Sequence, residues 1–242
     1  MRTFTKQAWL PLIAILGTVH GAQAAFNISV EAPGVLNSTA TFDTYGIETF
    51  DSNTTGSNQT FSPAFSGTGI TGTFSGVNVV AANQYGGAGG TGNYVSPGSS
   101  NSFSMTLDSN VTYFGLWISA LDGTNDLTFF NGGTLVKTFT PSDLLALVSG
   151  NHAYYGNPSG TFVGQDSGEP FAFVNFYDIG GTFNKVVVTS GGYESDNYTV
   201  GTFTSQSGTA VGPTTDAPEP ISLALLGTGL AGLGLAKRRK SH

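Results

Sequence analysis

The chain has 242 residues and no cysteine, which excludes disulfides, thiolate metal sites and cysteine nucleophiles from its stability and chemistry. Residues 25–217 hold two cations, Lys137 and Lys185, against fourteen carboxylates, a net of −12, and a surface of that sign repels phosphates, so nucleic acid is excluded as a partner while neutral sugars and Ca²⁺ are not. Abundant Phe, scarce helix formers, and aromatic and β-branched runs spaced by Gly, Ser, Thr and Asn predict one all-β body between two processing segments.

In chain order, Arg2 and Lys6 precede an apolar stretch over 8–16, after which Gly17 and small residues lead to Ala22-Gln23-Ala24. This is the three-part order of a secretory signal peptide, with small side chains at Ala22 and Ala24 where the subsites of signal peptidase are narrow. It predicts a helical leader over 1–24 and cleavage after Ala24. A buried helix of the fold is the competing reading, and Pro11 opposes it, since proline inside a short helix costs about 3 kcal/mol.

The body is predicted over 25–210. Residues 49–102, rich in Gly, Ser, Asn and Thr, read as two or three strands with long loops, of which 85–100 is the most loop-like. Over 101–107 the pattern is cleaner: Phe103, Met105 and Leu107 alternate with Ser102, Ser104 and Thr106, the period of a half-buried strand. Residues 111–118 are apolar on both faces, as in a strand between two layers. The segment 127–139 breaks at Asn131-Gly132-Gly133, residues that accept positive φ and so predict a hairpin turn. A short helix is predicted over 142–148, with Ser142 as its cap and Leu144, Leu145 and Val148 packing inward. Further strands are expected over 171–177, 183–189 and 198–203. Strands about ten residues apart with Gly-rich turns predict a β-sandwich, jelly-roll-like in its connections.

Few residues in this body carry chemistry. Two matches to G-x-G-x-x-G, at 67–72 and 87–92, do not open a helix in a βαβ unit and arise readily in so glycine-rich a chain, so nucleotide binding is rejected. His152 is alone in the body, since His20 lies in the leader and His242 at the far end; neither a serine triad nor a histidine zinc site can be assembled, and the body is read as non-catalytic. The hard-oxygen groups Asp122 and Asp126 on one loop, and Glu194 and Asp196 on another, suit structural Ca²⁺; Asp43 joins the second group if first and last strands lie together. The plainer reading is solvated turns. Tyr154 and Tyr155, with Tyr85, Tyr94 and Trp117, offer rings on which a sugar could stack, although aromatics at strand spacing usually fill cores.

Residues 211–216 read as a linker to a tail over 217–242. Pro218-Glu219-Pro220 is followed by an uncharged stretch over 221–236, predicted helical, and then by Lys237, Arg238, Arg239 and Lys240. Sixteen residues at 1.5 Å each reach about 24 Å, short of a hydrocarbon layer of about 30 Å, and four glycines weaken the span further. Such a helix suits temporary retention better than permanent anchoring. The basic cluster stays cytoplasmic while the leader sends the body outward, so both ends predict one topology.

In that order, the Pro-Glu-Pro tripeptide, the glycine-rich apolar helix and the terminal cations resemble the PEP-CTERM sorting signal. The resemblance covers about the last 26 residues and implies an exosortase-type membrane protease as partner, processing near Pro218-Glu219-Pro220, and display at the cell surface or in an extracellular polysaccharide and biofilm matrix. The body's wording, in Tyr113-Phe114-Gly115-Leu116-Trp117, Asp126-Leu127-Thr128-Phe129-Phe130, Val174-Asn175-Phe176-Tyr177 and Glu194-Ser195-Asp196-Asn197, is similar to a group of exosortase-dependent surface proteins with the same tail. That group lends no catalytic role, and the payload is read as a structural or matrix component; a carbohydrate-binding, lectin-like module is the alternative.

Overall fold

The computed structural model describes residues 25–189 and 192–212. The leader with Ala22 and Ala24, the linker beyond Gly212, Pro218-Glu219-Pro220, the 221–236 helix and the 237–240 cations lie outside the described residues. Among those described, no helix is long and apolar enough to cross a membrane.

The first two strands, β1 (Ala25–Val30) and β2 (Thr41–Glu48), come before any stretch that the sequence marks as strand. The region read as loop-rich instead holds four: β3 (Gly56–Phe61), β4 (Ala64–Phe65), the twelve-residue β5 (Ile70–Ala81) and β6 (Asn93–Pro97), the last within the stretch expected to be most loop-like. Next, β7 (Ser102–Val111) buries Phe103, Met105 and Leu107 and turns Ser102, Ser104 and Thr106 away, as the alternation requires. Every residue of β8 (Tyr113–Ser119) is buried. The hairpin of β9 (Asp126–Asn131) and β10 (Thr134–Phe139) turns on Gly132, at φ 57°, and Gly133. The helix α1 (Ser142–Val148) has the predicted bounds and buries Leu144 and Val148, but Ser142 does not cap it: Pro141 takes that position, and its carbonyl accepts the first helical bond, from Leu145 N at 2.8 Å. The remaining strands are β11 (Ala172–Ile179), β12 (Phe183–Thr189), β13 (Glu194–Ser205) and β14 (Thr209–Ala210).

All strand pairs are antiparallel, and hydrogen bonding runs along the single path β10-β9-β12-β7-β5-β6-β13-β8-β11-β1-β14, with β2 added to β13 and β3 and β4 added to β5. The sheet is curled. Phe26 on β1 lies eight places along that path from β9, yet its ring centroid is 5.0 Å from that of Phe129. Phe129 also meets Phe176 of β11 at 5.0 Å, and Phe139 of β10 meets Phe176 at 5.2 Å. Rings in such arrangements add about 0.5–1.5 kcal/mol per pair beyond the area they bury. They join both halves of the sheet in one core with Phe114, Leu116, Ile118, Val174 and Val200.

The outward face of β8 and β11 is also covered. Trp117, Phe171 and Phe173 form a smaller cluster there, under Leu36 and Ala88 from the loops after β1 and β5. At the β2–β13 crossing, the chains approach so closely that a Cβ on Gly201 would lie 2.2 Å from Thr44 O.

Candidate functional site

Glu31, directly after β1, is buried, and among the described residues no cation pairs with it. Oε1 accepts from Thr39 N at 2.9 Å, from Asn175 Nδ2 at 3.0 Å and, through a very short bond, from Ser207 Oγ; Oε2 accepts from Thr39 Oγ1 at 2.8 Å. Asn175 also donates to Ser29 Oγ at 3.2 Å and accepts from Tyr113 Oη at 2.6 Å. Burial alone would raise the Glu31 carboxyl, but the bonds from Ser207, Thr39 and Asn175 overcome it and hold the group below its ordinary value. The network ties β1, β8 and β11 to the β13–β14 turn through Ser207. Sequence reasoning passed over Glu31, whose only signal is its place at the end of the first β-forming run.

The two carboxylates at the start of β13 stand in different surroundings. Burial first, and then the carboxylates of Glu169, Asp166 and Asp122, push the Glu194 carboxyl up to about 8. Asp196 is 2 % exposed and accepts from Ala88 N at 2.8 Å and Asn197 N at 2.7 Å. Burial raises it to about 8 against those two bonds, with Asp51 and Glu48 adding repulsion. Asp196 thus fastens the glycine-rich 86–92 loop over the sheet, while Asn197 holds a second loop by donating to Leu36 O at 2.9 Å.

The five carboxylates considered for calcium do not form one cluster: Asp122 lies near enough to Glu194 to raise it, but Asp43 stands apart. β2 does pair with β13, as Asp43 required, but Phe42 stands opposite Phe203 and Thr44 opposite Thr202. That register leaves Asp43 about 20 Å along the strand from Asp196, at roughly 3.3 Å per residue; Glu48 is the β2 carboxylate near it instead. Asp122 turns back on its own loop, accepting from Thr124 N at 2.6 Å and Thr124 Oγ1 at 2.7 Å, and Asp126 opens β9 opposite Thr189. Among the described residues, no group of three or more His, Asp or Glu is arranged to hold a metal ion.

The stacking platform is corrected at Tyr154. Its ring belongs to the core, 8 % exposed, and its hydroxyl donates to Glu31 O at 2.8 Å, so it offers no face to a sugar. Tyr155 is half-buried against the same core, Tyr94 and Trp117 are buried, and Tyr85 alone of the five is exposed.

A cavity of about 310 Å³ lies elsewhere: between β1, β10, α1 and the β13–β14 turn, the two ends of the sheet path. Phe26 and Phe139 form apolar walls, and Asn27, Gln206, Lys137 and Asp143 supply polar ones. Lys137 is one of the body's two cations, and that scarcity was the signal in the sequence that could have marked this place.

Beyond the cavity's edge at Gly212 the chain enters its tail. A family model described as the PEP-CTERM protein-sorting motif matches residues 216–240. This is an exported protein's sorting signal, of the class recognised by exosortase membrane proteins. The chain carries that motif in the place and order in which its residues were read, with Pro218-Glu219-Pro220 at the start and the basic cluster at the end. No curated protein and no solved structure matches the chain.

Proposed function

We propose that the protein is exported, retained briefly in the inner membrane by its tail with the C-terminus in the cytoplasm, and processed near Pro218-Glu219-Pro220 by an exosortase-type membrane protease. Signal peptidase cuts after Ala24 in this reading. The product is a non-catalytic payload, a jelly-roll-like β-sandwich, displayed on the cell surface or in the extracellular polysaccharide matrix. The observation that carries the reading is the sorting-motif match at 216–240.

The fold is consistent with it at the C-terminal end. Among the described residues the last strand is β14, which ends at Ala210 and pairs with Ser29 and Val30 of β1, ahead of the motif that begins at residue 216. Display of a cysteine-free payload then rests on packing and on the Glu31 network rather than on disulfides.

The test is fractionation of cells producing the natural chain or a Pro218→Ala, Glu219→Ala, Pro220→Ala variant. The natural chain is expected at the surface or in the medium and the variant in the inner membrane. A variant that reaches the surface as the natural chain does would sink the reading.

A further inference from the structure

We propose that the cavity between β1, β10 and α1 binds a neutral pyranose unit of a polysaccharide. The inference deepens the display reading by giving the exported domain a ligand.

The polar walls are mixed in a way that matches sugar hydroxyls. Asn27 Nδ2 donates to Gln206 Oε1 at 3.2 Å, which leaves Asn27 Oδ1 as an acceptor and Gln206 Nε2 as a donor beside the cavity. Lys137 adds an ammonium donor and Asp143 a carboxylate acceptor. A hydroxyl both gives and takes a hydrogen bond, so a ring carrying several of them satisfies donors and acceptors in one place. Phe26, half-buried, supplies the cavity's apolar surface for the C–H face of the ring, backed by Phe139, whose ring is buried in the core. The volume of about 310 Å³ lies at the small end of the range for ligand sites, roughly 300–1,000 Å³, which suits one or two rings rather than a long segment.

Charge selects against the other ligand classes. Lys137 and Asp143 share the cavity, and among the described residues Lys137 makes no ion pair, so both groups keep their hydrogen-bonding capacity for a guest. Their charges cancel locally, while the body as a whole carries −12 and repels polyanions. A lysine on an exposed end strand can serve only to prevent edge-to-edge pairing, and β10 is such a strand. That role accounts for the cation but not for an acidic group on α1 and an amide pair on β1 and the β13–β14 turn around the same space.

The test uses the purified full-length chain in detergent micelles, probed with the methyl glycosides of glucose, galactose, mannose and xylose by saturation-transfer NMR and titration calorimetry, with polygalacturonate as the charged probe. Saturable binding of at least one neutral glycoside is expected. Lys137→Ala and Asp143→Asn, both at exposed positions, are each expected to weaken it about tenfold, the effect of one well-placed hydrogen bond. Asp43→Asn, on an exposed part of β2, should leave it unchanged, and thermal melting should show all three variants folded. Absence of binding by every glycoside, binding that survives both cavity substitutions, or binding of polygalacturonate alone would each overturn the proposal. Export is measured in cells and sugar binding on purified protein, so either reading can fail without the other.

Discussion

Replacing Glu31 by alanine removes the acceptor at the centre of the β1–β11–turn network. Of the four bonds lost, the two from Thr39 cost little, because that residue is exposed and its donors return to water. The other two come from Asn175, which is fully buried, and Ser207, which holds the β13–β14 turn. Hydrogen bonds to a charged group contribute about 1.5–3 kcal/mol each, and relief of the carboxylate's own desolvation offsets part of that, so a net loss of roughly 3 kcal/mol is expected. Against a typical domain stability of about 5–15 kcal/mol, this is a large fraction. Urea unfolding at pH 7 measures it, and hydrogen exchange locates it, with the amides of β14 and Val211 opening first. The loss is also pH-dependent. Glu31 titrates below its unfolded value of 4.5, so its contribution is present above that value and disappears as pH falls through the lower, folded one. The gap between Glu31→Ala and the natural chain should therefore narrow in acid. A gap under about 0.5 kcal/mol at pH 7 would refute the reasoning, since it would leave the buried bonds worth less than one ordinary hydrogen bond.

Glu194 and Asp196 predict the opposite pH trend: their folded carboxyls titrate at about 8, above the unfolded values of 4.5 and 3.8, so their contribution is full below pH 4 and is lost as pH rises through 8. Asp196→Asn should flatten the decline between pH 5 and pH 8 in thermal melts, and an unchanged slope would contradict the burial assigned to it. Phe129→Ala, fully buried among Phe26, Phe114, Phe176 and Phe183, should cost roughly 3–5 kcal/mol by urea unfolding, because its rings span both halves of the curled sheet. Gly201→Ala should cost more than about 2 kcal/mol and detach β2, since the new methyl group meets backbone on the neighbouring strand and no rotamer can relieve it; protease cutting within 41–48 checks this. Calorimetry with Ca²⁺ and with EDTA should give equal melting temperatures, and a rise with Ca²⁺ would restore the loop carboxylates as ligands.

The strands legible in the sequence are those whose burial follows a local pattern. Phe103, Met105 and Leu107 alternate on β7, the run 183–189 is a strand over its whole predicted length, and Asn131-Gly132-Gly133 announces its hairpin. β5 was opaque because Thr73, Ser75 and Asn78 interrupt its apolar residues and Gly72 and Gly76 weaken its propensity. Its stability comes from distant partners, with β3 on one side and β7 and then β6 along the other. The same distinction governs the sites. The juxtaposition of β2 with β13 was foreseen for Asp43, but register was not, and a shift of a few residues moves a carboxylate out of reach of its group. Tyr154 sits among Asn, His and Gly, the wording of an exposed loop, yet its ring reaches the core and its hydroxyl reaches Glu31 across 123 positions of sequence. The cavity at the sheet's two ends joins Asn27, Lys137 and Gln206 only through closure of the curl. The sorting motif needed no such closure, because its order lies along the chain.

The central claim is that both extremities of the chain are processed and the all-β body is what the cell displays. Mass spectrometry of the surface-exposed form, in cells with and without the exosortase-type enzyme, tests this most directly. The account predicts an N-terminus at Ala25 and, only where the enzyme is present, a C-terminus close to Pro218-Glu219-Pro220 that lacks Lys237, Arg238, Arg239 and Lys240. A displayed protein that still ends at His242 in cells with the enzyme would contradict it.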